Sequence, residues 1–403
     1  MSRWPNKYVI GLTGNIGVGK SVVRQMLQHS GAYTIDADSL AHQVMMPNAP
    51  AYKPILSTFG QFIVGPDGRI NRQMLGQMVF SNPEALKKLE DITHPIIRQG
   101  INALVSRSTQ RVVVIEAIKL IEGGLADMVD EVWVVDVKPQ IQYKRLIEKR
   151  KMSEAEAKQR ILAQGPQAEK LKRANVVVDN NGNVEDTWKQ VQKQWGEIRK
   201  KLTGGAPAPQ GTQAAAPAGS TKPIEPVDTM DGEAHTIDVA GVTVKRGNPN
   251  RAQAIADFIK DVTGRNLTRI EVMENFGQKN YVVAQDANSK IVGLMGYSVE
   301  NLVTRVDEFY CGKNLAVDTI VHALVVAMEE SSKELSSEVA FFFSPSETPP
   351  PVLRAYQTDG YQPITLKDIK VPAWREAVEE AVSQKAIQVL WKQLRKDRVL
   401  QPI

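Results

Sequence analysis

Gly14-Asn15-Ile16-Gly17-Val18-Gly19-Lys20-Ser21 is the stretch on which the fold turns. It matches the phosphate-loop pattern, a glycine, four free positions, then Gly-Lys-Ser/Thr. The glycines let the backbone turn inward and bring its amides close to phosphate oxygens. Lys20 is then placed to reach the β- and γ-phosphates of ATP, and the Ser21 hydroxyl to ligate Mg²⁺. The apolar run Lys7 to Leu12 before the loop reads as a strand, and Lys20 to His29 after it as a helix. That context suits the chemistry, because a helix N-terminus adds its positive end to an anion site. An ordinary Gly-rich turn, the competing reading, needs neither flank.

Working outward, short β-branched runs recur at Tyr33 to Ile35, Arg111 to Ile115, Glu131 to Val135 and Val176 to Val178. Continuous apolar strands suit a sheet covered on both faces, so an α/β fold with a parallel five-stranded sheet is expected. Residues 52–108 are mostly helical and too long for a plain crossover, which predicts a helical insertion that holds the acceptor. Residues 139–173 read as a charged helical pair opened by Lys138-Pro139. A last helix, Val184 to Leu202, carries Trp188 and Trp195 on one face, for packing against the sheet.

The whole chain has 403 residues, enough for two or three domains. Its hydrophobic content of 42% and charged content of 24% are those of an ordinary globular chain. The net charge of +5 fits phosphate-rich ligands. With no RNA-binding signature, zinc-finger spacing or basic tail, nucleic acid is not an expected partner. A single cysteine, Cys311, rules out an internal disulfide and points to a reducing, cytoplasmic location. No signal-peptide run and no long apolar span occur, so no membrane association is expected. Oligomeric state is not legible.

Thr203 to His235 is rich in Ala, Pro, Gly, Thr and Gln and has no aromatic residue. Such a stretch cannot bury enough apolar surface to offset its ordering entropy, and it reads as a flexible linker. The expected domains are therefore 1–202 and 236–403, with 203–235 between them. In the second, Val242 to Lys245 reads as a strand and Arg251 to Thr263 as a helix. Tyr281 to Gln285 and Ile291 to Tyr297 read as a hairpin. A helix over Thr319 to Leu335 and a strand over Val339 to Phe343 follow, with Pro349-Pro350-Pro351 ending that region. The final segment, Ala373 to Arg398, reads as an amphipathic helix suited to assembly. Ile320, Leu324 and Met328 read as core, and Cys311 as packing rather than a nucleophile.

Asp36-Ala37-Asp38 follows the second strand of the first half. Carboxylates there would sit beside the γ-phosphate, where one can act as base for an acceptor hydroxyl. A helix N-cap role for Asp38 or Ser39 explains the same residues equally well.

With Gly11 to Ser21 and Asp36 to Asp38 in place, the first half resembles the bacterial dephospho-coenzyme A kinases. Further matching pieces are Asp67-Gly68-Arg69-Ile70-Asn71-Arg72, His94-Pro95-Ile96-Ile97, Gln142 to Leu146 with Arg150, Glu156 to Ile161 with Gln164, and Ala174 to Asn180. They cover about residues 7–200. The resemblance implies a P-loop kinase with a CoA-binding helical region and a mobile lid. Its reaction would be ATP-dependent phosphorylation of the ribose 3′-hydroxyl of dephospho-CoA. It implies Asp38 as base, Arg145 as a lid arginine on the ATP phosphates and Asn180 near the adenine. Glu116 stands where an Asp is common and could hold a Mg²⁺ water beside Ser21. Three departures stand out: Lys119 after the third strand, His42 where an arginine is usual, and Arg150-Lys151-Met152. Arg145, Arg150 and Arg160 could alternatively form a solvated face.

The second half faintly resembles GNAT-type acetyltransferases, in its element order and in Tyr356 to Tyr361. The glycine pattern that cradles acetyl-CoA in that family is replaced by Tyr310-Cys311-Gly312-Lys313-Asn314-Leu315-Ala316. A non-catalytic α/β or α+β module is expected, with an active acetyltransferase as the alternative. Two other readings of the whole chain are a different small-molecule P-loop kinase, such as a nucleoside monophosphate kinase, and a nucleotide-dependent scaffold. The lack of AMP-site signatures opposes the first, and the acceptor base Asp38 opposes the second.

Overall fold

The computed structural model describes residues 3–203, 236–239, 241–300, 302–312, 316–345, 348–382 and 387–395. The first half runs β1 (Tyr8–Thr13), α1 (Lys20–His29), β2 (Tyr33–Asp36), α2 (Ala37–Gln43), α3 (Tyr52–Phe59), α4 (Arg72–Phe80) and α5 (Pro83–Arg107). It continues with β3 (Val112–Glu116), β4 (Glu131–Asp136), α6 (Pro139–Glu148), α7 (Glu154–Leu162), α8 (Gln167–Lys172), β5 (Val176–Asp179) and α9 (Val184–Thr203). The five strands form an all-parallel sheet in the order β2-β3-β1-β4-β5. The chain leaves β1 toward β2, and β3 fills the gap between them. The carboxyl ends of β1 and β3 therefore border a topological switch point, where α/β sheets open a crevice for ligands.

Alternation along the strands feeds two apolar layers. Val9, Ile35, Val113, Ile115 and Val134 meet Ile97, Ile101 and Leu104 of α5. On the other face Ile10, Leu12, Val114, Trp133 and Val135 meet Val23, Met26 and Leu27 of α1, with Trp188, Val191 and Trp195 of α9. The tryptophan pair thus packs where its spacing predicts.

The second half runs β6 (Thr236–Val239), β7 (Val242–Arg246), α10 (Ala252–Thr263), α11 (Arg269–Phe276), β8 (Asn280–Gln285), β9 (Ile291–Glu300) and β10 (Val303–Cys311). Then come α12 (Val317–Glu334), β11 (Val339–Pro345), α13 (Pro350–Thr358), β12 (Gln362–Pro363), α14 (Pro372–Val382) and β13 (Ile387–Gln393). The sheet order is β12-β13-β11-β10-β9-β8-β7-β6, and the β10–β11 pair is its parallel one. A mostly antiparallel sheet makes this half α+β. Ile320, Leu324 and Met328 lie fully in its core, and the half-buried Cys311 packs against the same cluster.

Four sequence expectations need correction. The charged segment 139–173 is three helices, because Lys151 takes a positive φ, Ser153 caps α7 and Pro166 precedes α8. Pro349-Pro350-Pro351 opens α13 instead of closing a region, since proline suits the first helical turn. Strand β10 has no counterpart in the sequence reading; its second half mixes Asp307 and Glu308 with Phe309 to Cys311 and is only partly buried. The helix over Ala373 to Arg398 stops at Val382, and Ile387 to Gln393 forms β13 between β11 and β12. Short apolar runs fit either period, and the free edge of β11 decides for a strand. The linker 204–235 and the Lys313 to Leu315 part of the acetyl-CoA-loop comparison lie outside the described residues. Among the described residues no helix is long and apolar enough to cross a membrane.

The two sheets share a core. Ile255, Phe258, Ile259, Val272, Met273 and Phe276 of α10 and α11 join the cluster built on α1 and α9. Trp188 donates its indole N–H to Asn250 Oδ1 at 3.1 Å. Gln25 and Gln28 each donate to Asn280 Oδ1 at 3.0 Å. His29 Nε2 lies 2.8 Å from the Phe276 carbonyl, so the neutral ring carries its proton there. On the far side, His42 Nε2 meets Glu376 Oε2 of α14 at 3.1 Å.

Burial pulls the His29 imidazole down from 6.5 to about 4. The unfolded chain therefore binds a proton that the folded one refuses, and stability falls as pH drops from 6.5 toward 4. The loss is of the order of 3 kcal/mol. A His29→Asn variant should show a shallower decline in denaturant midpoint across that window than the parent chain.

Candidate active site

The loop after β1 reaches α1 through two glycines that no other residue could replace. Gly14 has φ +146°, and a Cβ there would lie 2.6 Å from the Val135 carbonyl oxygen. Gly19 is the N-cap of α1, with φ +96° and no side-chain cap; a Cβ would run into the Asn180 amide. An uncapped helix start leaves amide donors pointing at the site, the arrangement that binds phosphate. Lys20 is buried and its ammonium rests 3.4 Å from the Asn15 carbonyl. Burial draws its pKa down, while Glu116 and Asp38 push back.

Three carboxylates gather at the strand ends. Asp36 on β2 stands in register with Glu116 on β3. Asp36 is the N-cap of α2, accepting from the Ser39 amide at 2.9 Å. The capping role therefore belongs to Asp36, not to Asp38 or Ser39, and Asp38 is left to face the site. Asp38 Oδ2 accepts from the Ile118 amide at 3.0 Å. Asp38 is exposed, but partial desolvation by the surrounding groups raises its pKa, as does Asp36, against the pull of that amide, Lys20 and Lys170. Glu116 Oε1 accepts from Ser21 Oγ at 3.4 Å, and its Oε2 pairs with Arg24 Nε at 2.7 Å. Burial pushes the Glu116 carboxyl up and Arg24 pulls it back.

The lid segments close over the back of the loop. Gln164 accepts from the Ile16 amide at 2.7 Å and Gln167 from the Asn15 amide at 3.0 Å. Asn180 donates to the Val18 carbonyl at 2.7 Å and is itself fixed by Thr187 at 2.9 Å. Arg145 donates to the Val18 and Asn180 carbonyls at 3.3 and 2.9 Å. Half-buried there, it is no solvated-face residue. Arg160 is one, paired at 3.0 Å with Glu156 a turn earlier on an exposed face.

The departures noted in the sequence have local partners. His42 meets Glu376 from the second half, and Arg69 lies 3.9 Å from both Glu376 and Glu379. Lys119 is exposed and reaches toward Glu90 at 3.6 Å. A cavity of about 610 Å³ begins at Ser21 and Arg24 and is walled opposite by Lys279, Arg305 and Phe343. Sequence reasoning missed Gln167 and Lys170; both sit in a polar helical run whose composition distinguishes no face.

Asn180→Ala removes the amide that holds Val18 in place and the oxygen that Thr187 anchors. The KM for ATP should rise about tenfold, a loss of roughly 1.4 kcal/mol, measured by ATP titration at saturating acceptor.

Comparison with known proteins agrees with this geometry. Residues 8–186 match the family model described as dephospho-CoA kinase. The chain is similar to the dephospho-CoA kinase of Geobacter sulfurreducens, 44% identical over 190 residues, which are 46% of this chain and 96% of that protein. Among solved structures it is similar to the dephospho-CoA kinase from Campylobacter jejuni, at 29% identity and TM-score 0.37, covering 50% of this chain and all of that one. A GNAT-family acetyltransferase from Staphylococcus aureus aligns with 38% of this chain and 99% of its own, at 13% identity and TM-score 0.31. Identity at this level across nearly the whole length of a relative makes the chain a member of the dephospho-CoA kinase family, which phosphorylates dephospho-CoA with ATP in coenzyme A biosynthesis.

Proposed function

We propose that Asp38 is the base of this reaction and that the loop at Gly14 to Ser21 holds the ATP phosphates. The observation that carries the reading is the place of Asp38: exposed at the sheet's carboxyl edge, its carboxylate held by the Ile118 amide at 3.0 Å and coupled electrostatically to Lys20. The acceptor is the ribose 3′-hydroxyl of dephospho-CoA, bound against the helical insertion at 52–108. As its oxygen bonds to the γ-phosphorus, the bond to the β-phosphate oxygen breaks and the hydroxyl proton passes to Asp38. Lys20 and Arg145 are cations for the charge that develops on the transferring group. Asn15 to Gly19 supply backbone and side-chain contacts around the phosphates, and Asn180 borders the nucleotide side of the loop.

Mg²⁺ fits the donor set. Among the described residues no cluster of three His, Cys, Asp or Glu side chains could hold a metal alone. Mg²⁺ in nucleotide sites needs few protein ligands, because phosphates and water complete its shell. Ser21 and Glu116, already within 3.4 Å of each other, would be those ligands. When bound, the ion supplies charge neutralisation to the phosphates.

Residues 1–202 form the kinase domain in this reading, and 236–403 a non-catalytic domain. Its support is mechanical: α10, α11 and Asn280 grip the outer face of α1, whose other end carries the phosphate loop.

Asp38→Asn should lower kcat about 10³-fold, while ATP affinity, followed by nucleotide titration, stays within about twofold. Unchanged turnover would remove Asp38 as base. In the parent chain the base must be ionised, and partial desolvation together with Asp36 raises its pKa. Accordingly kcat/KM should fall, as pH drops, through a value above the ordinary aspartate range.

A further inference from the structure

Lys170 is buried, with 3% of its side chain exposed. Lysines are almost never so placed unless paired. Its ammonium donates to the Ile118 carbonyl at 2.7 Å and to Glu122 Oε1 at 2.6 Å. The same carbonyl accepts from Thr13 Oγ1 at 3.1 Å. Ile118 lies in the turn after β3, outside any strand or helix. Its carbonyl is held by these two donors, while its amide, on the other side of the same Cα, donates to Asp38 Oδ2 at 3.0 Å. The two groups lie in adjacent peptide planes, so holding the carbonyl limits, through φ and ψ of Ile118, the directions in which the amide can point. The ammonium bond, being charge-assisted, is the stronger of the two holds.

The helix that carries Lys170 has a second engagement. Gln167, one turn earlier, accepts from the Asn15 amide and donates to the Val135 carbonyl at 2.9 Å. Gln164 just before it accepts from the Ile16 amide. Residues 164–170 thus touch the phosphate loop with one end and the support of Asp38 with the other. We propose that Lys170 is a positioning residue: by pinning Ile118 from the segment that grips the phosphate loop, it aims the Asp38 carboxylate at the acceptor. This rests on the assignment of Asp38 as base. The competing role is a buried ion pair with Glu122 that only adds stability.

The two roles separate in the full chain with Lys170→Met, Lys170→Gln and Lys170→Arg, measured beside Asp38→Asn. A misaimed base costs transfer more than binding. In Lys170→Met, kcat should fall about 10- to 100-fold, with KM for both substrates within about threefold. Lys170→Arg, which keeps charge and donors, should recover most of the loss, and Lys170→Gln should lie between. The acidic limb of kcat/KM should also move to higher pH in Lys170→Met, because a cation facing Asp38 is lost. The groups left facing it are Asp36 at the end of β2, Lys20 on α1, Glu116 on β3 and the Ile118 amide. A stability role alone would lower the thermal midpoint and leave kcat of the folded enzyme at its parent value, whatever the loss of charge does to the limb. Parent kcat in a folded Lys170→Met overturns the proposal, as does a kcat loss matched by an equal rise in KM for both substrates. Should Lys170→Met fail to fold, kcat against KM in Lys170→Gln decides in the same way. Full turnover in Asp38→Asn would instead remove the base assignment, and this proposal with it.

Discussion

Helix α1 is asked to do two things that conflict. Its N-terminus must stay uncapped, so that free amides and the helix dipole face phosphate. A helix with an open end and a left-handed Gly19 as its N-cap is poorly stabilised from within. Its hold has to come from packing. Val23, Met26 and Leu27 anchor it on the five-stranded sheet, and α9 and α11 lie against its other side, with α10 behind α11 in the same apolar cluster. His29 and the two glutamines then fasten its C-terminal turn to Phe276 and Asn280. Lys20 and Ser21 take their position from this one helix.

Buried charge is the second constraint. Lys20, Arg24 and Glu116 are buried, with Asp38 exposed beside them but partly desolvated, and each buried charge would be costly alone. They coexist because every charge has an opposite neighbour or an amide. Arg24 holds Glu116 at 2.7 Å, and the Ile118 amide holds Asp38 at 3.0 Å. The result is a carboxylate whose pKa is raised and which lies within the field of buried Lys20. Lys170 extends the same logic one layer outward, with Glu122 as its counter-ion.

The second half changes what its partner half can be. A chain that joins two domains through an Ala/Pro/Gly-rich stretch invites a picture of independent bodies. Instead the apolar faces of α1 and α9 continue into α10 and α11, and α14 brings Glu376 to His42 beside the acceptor insertion. His42, at the position of a usual arginine, then has a partner from outside the kinase half.

Local patterns in the sequence determined much of this. The spacing of Gly14, Gly19, Lys20 and Ser21 admits one backbone path, because only glycine tolerates the φ values it needs. Continuous β-branched runs gave all five strands of the parallel sheet, since burial on both faces leaves no alternating pattern to misread. Decisions between distant segments were left to the tertiary structure. Whether Asp36 or Asp38 capped α2 depended on where β2 ended against β3. Residues 387–393 became a strand because β11 offered an unpaired edge. Lys170 is one lysine among several in a polar run, and only the fold brings it 2.7 Å from the residue that holds Asp38. Periodicity reports which face of an element is buried; it carries no information about which distant partner buries it.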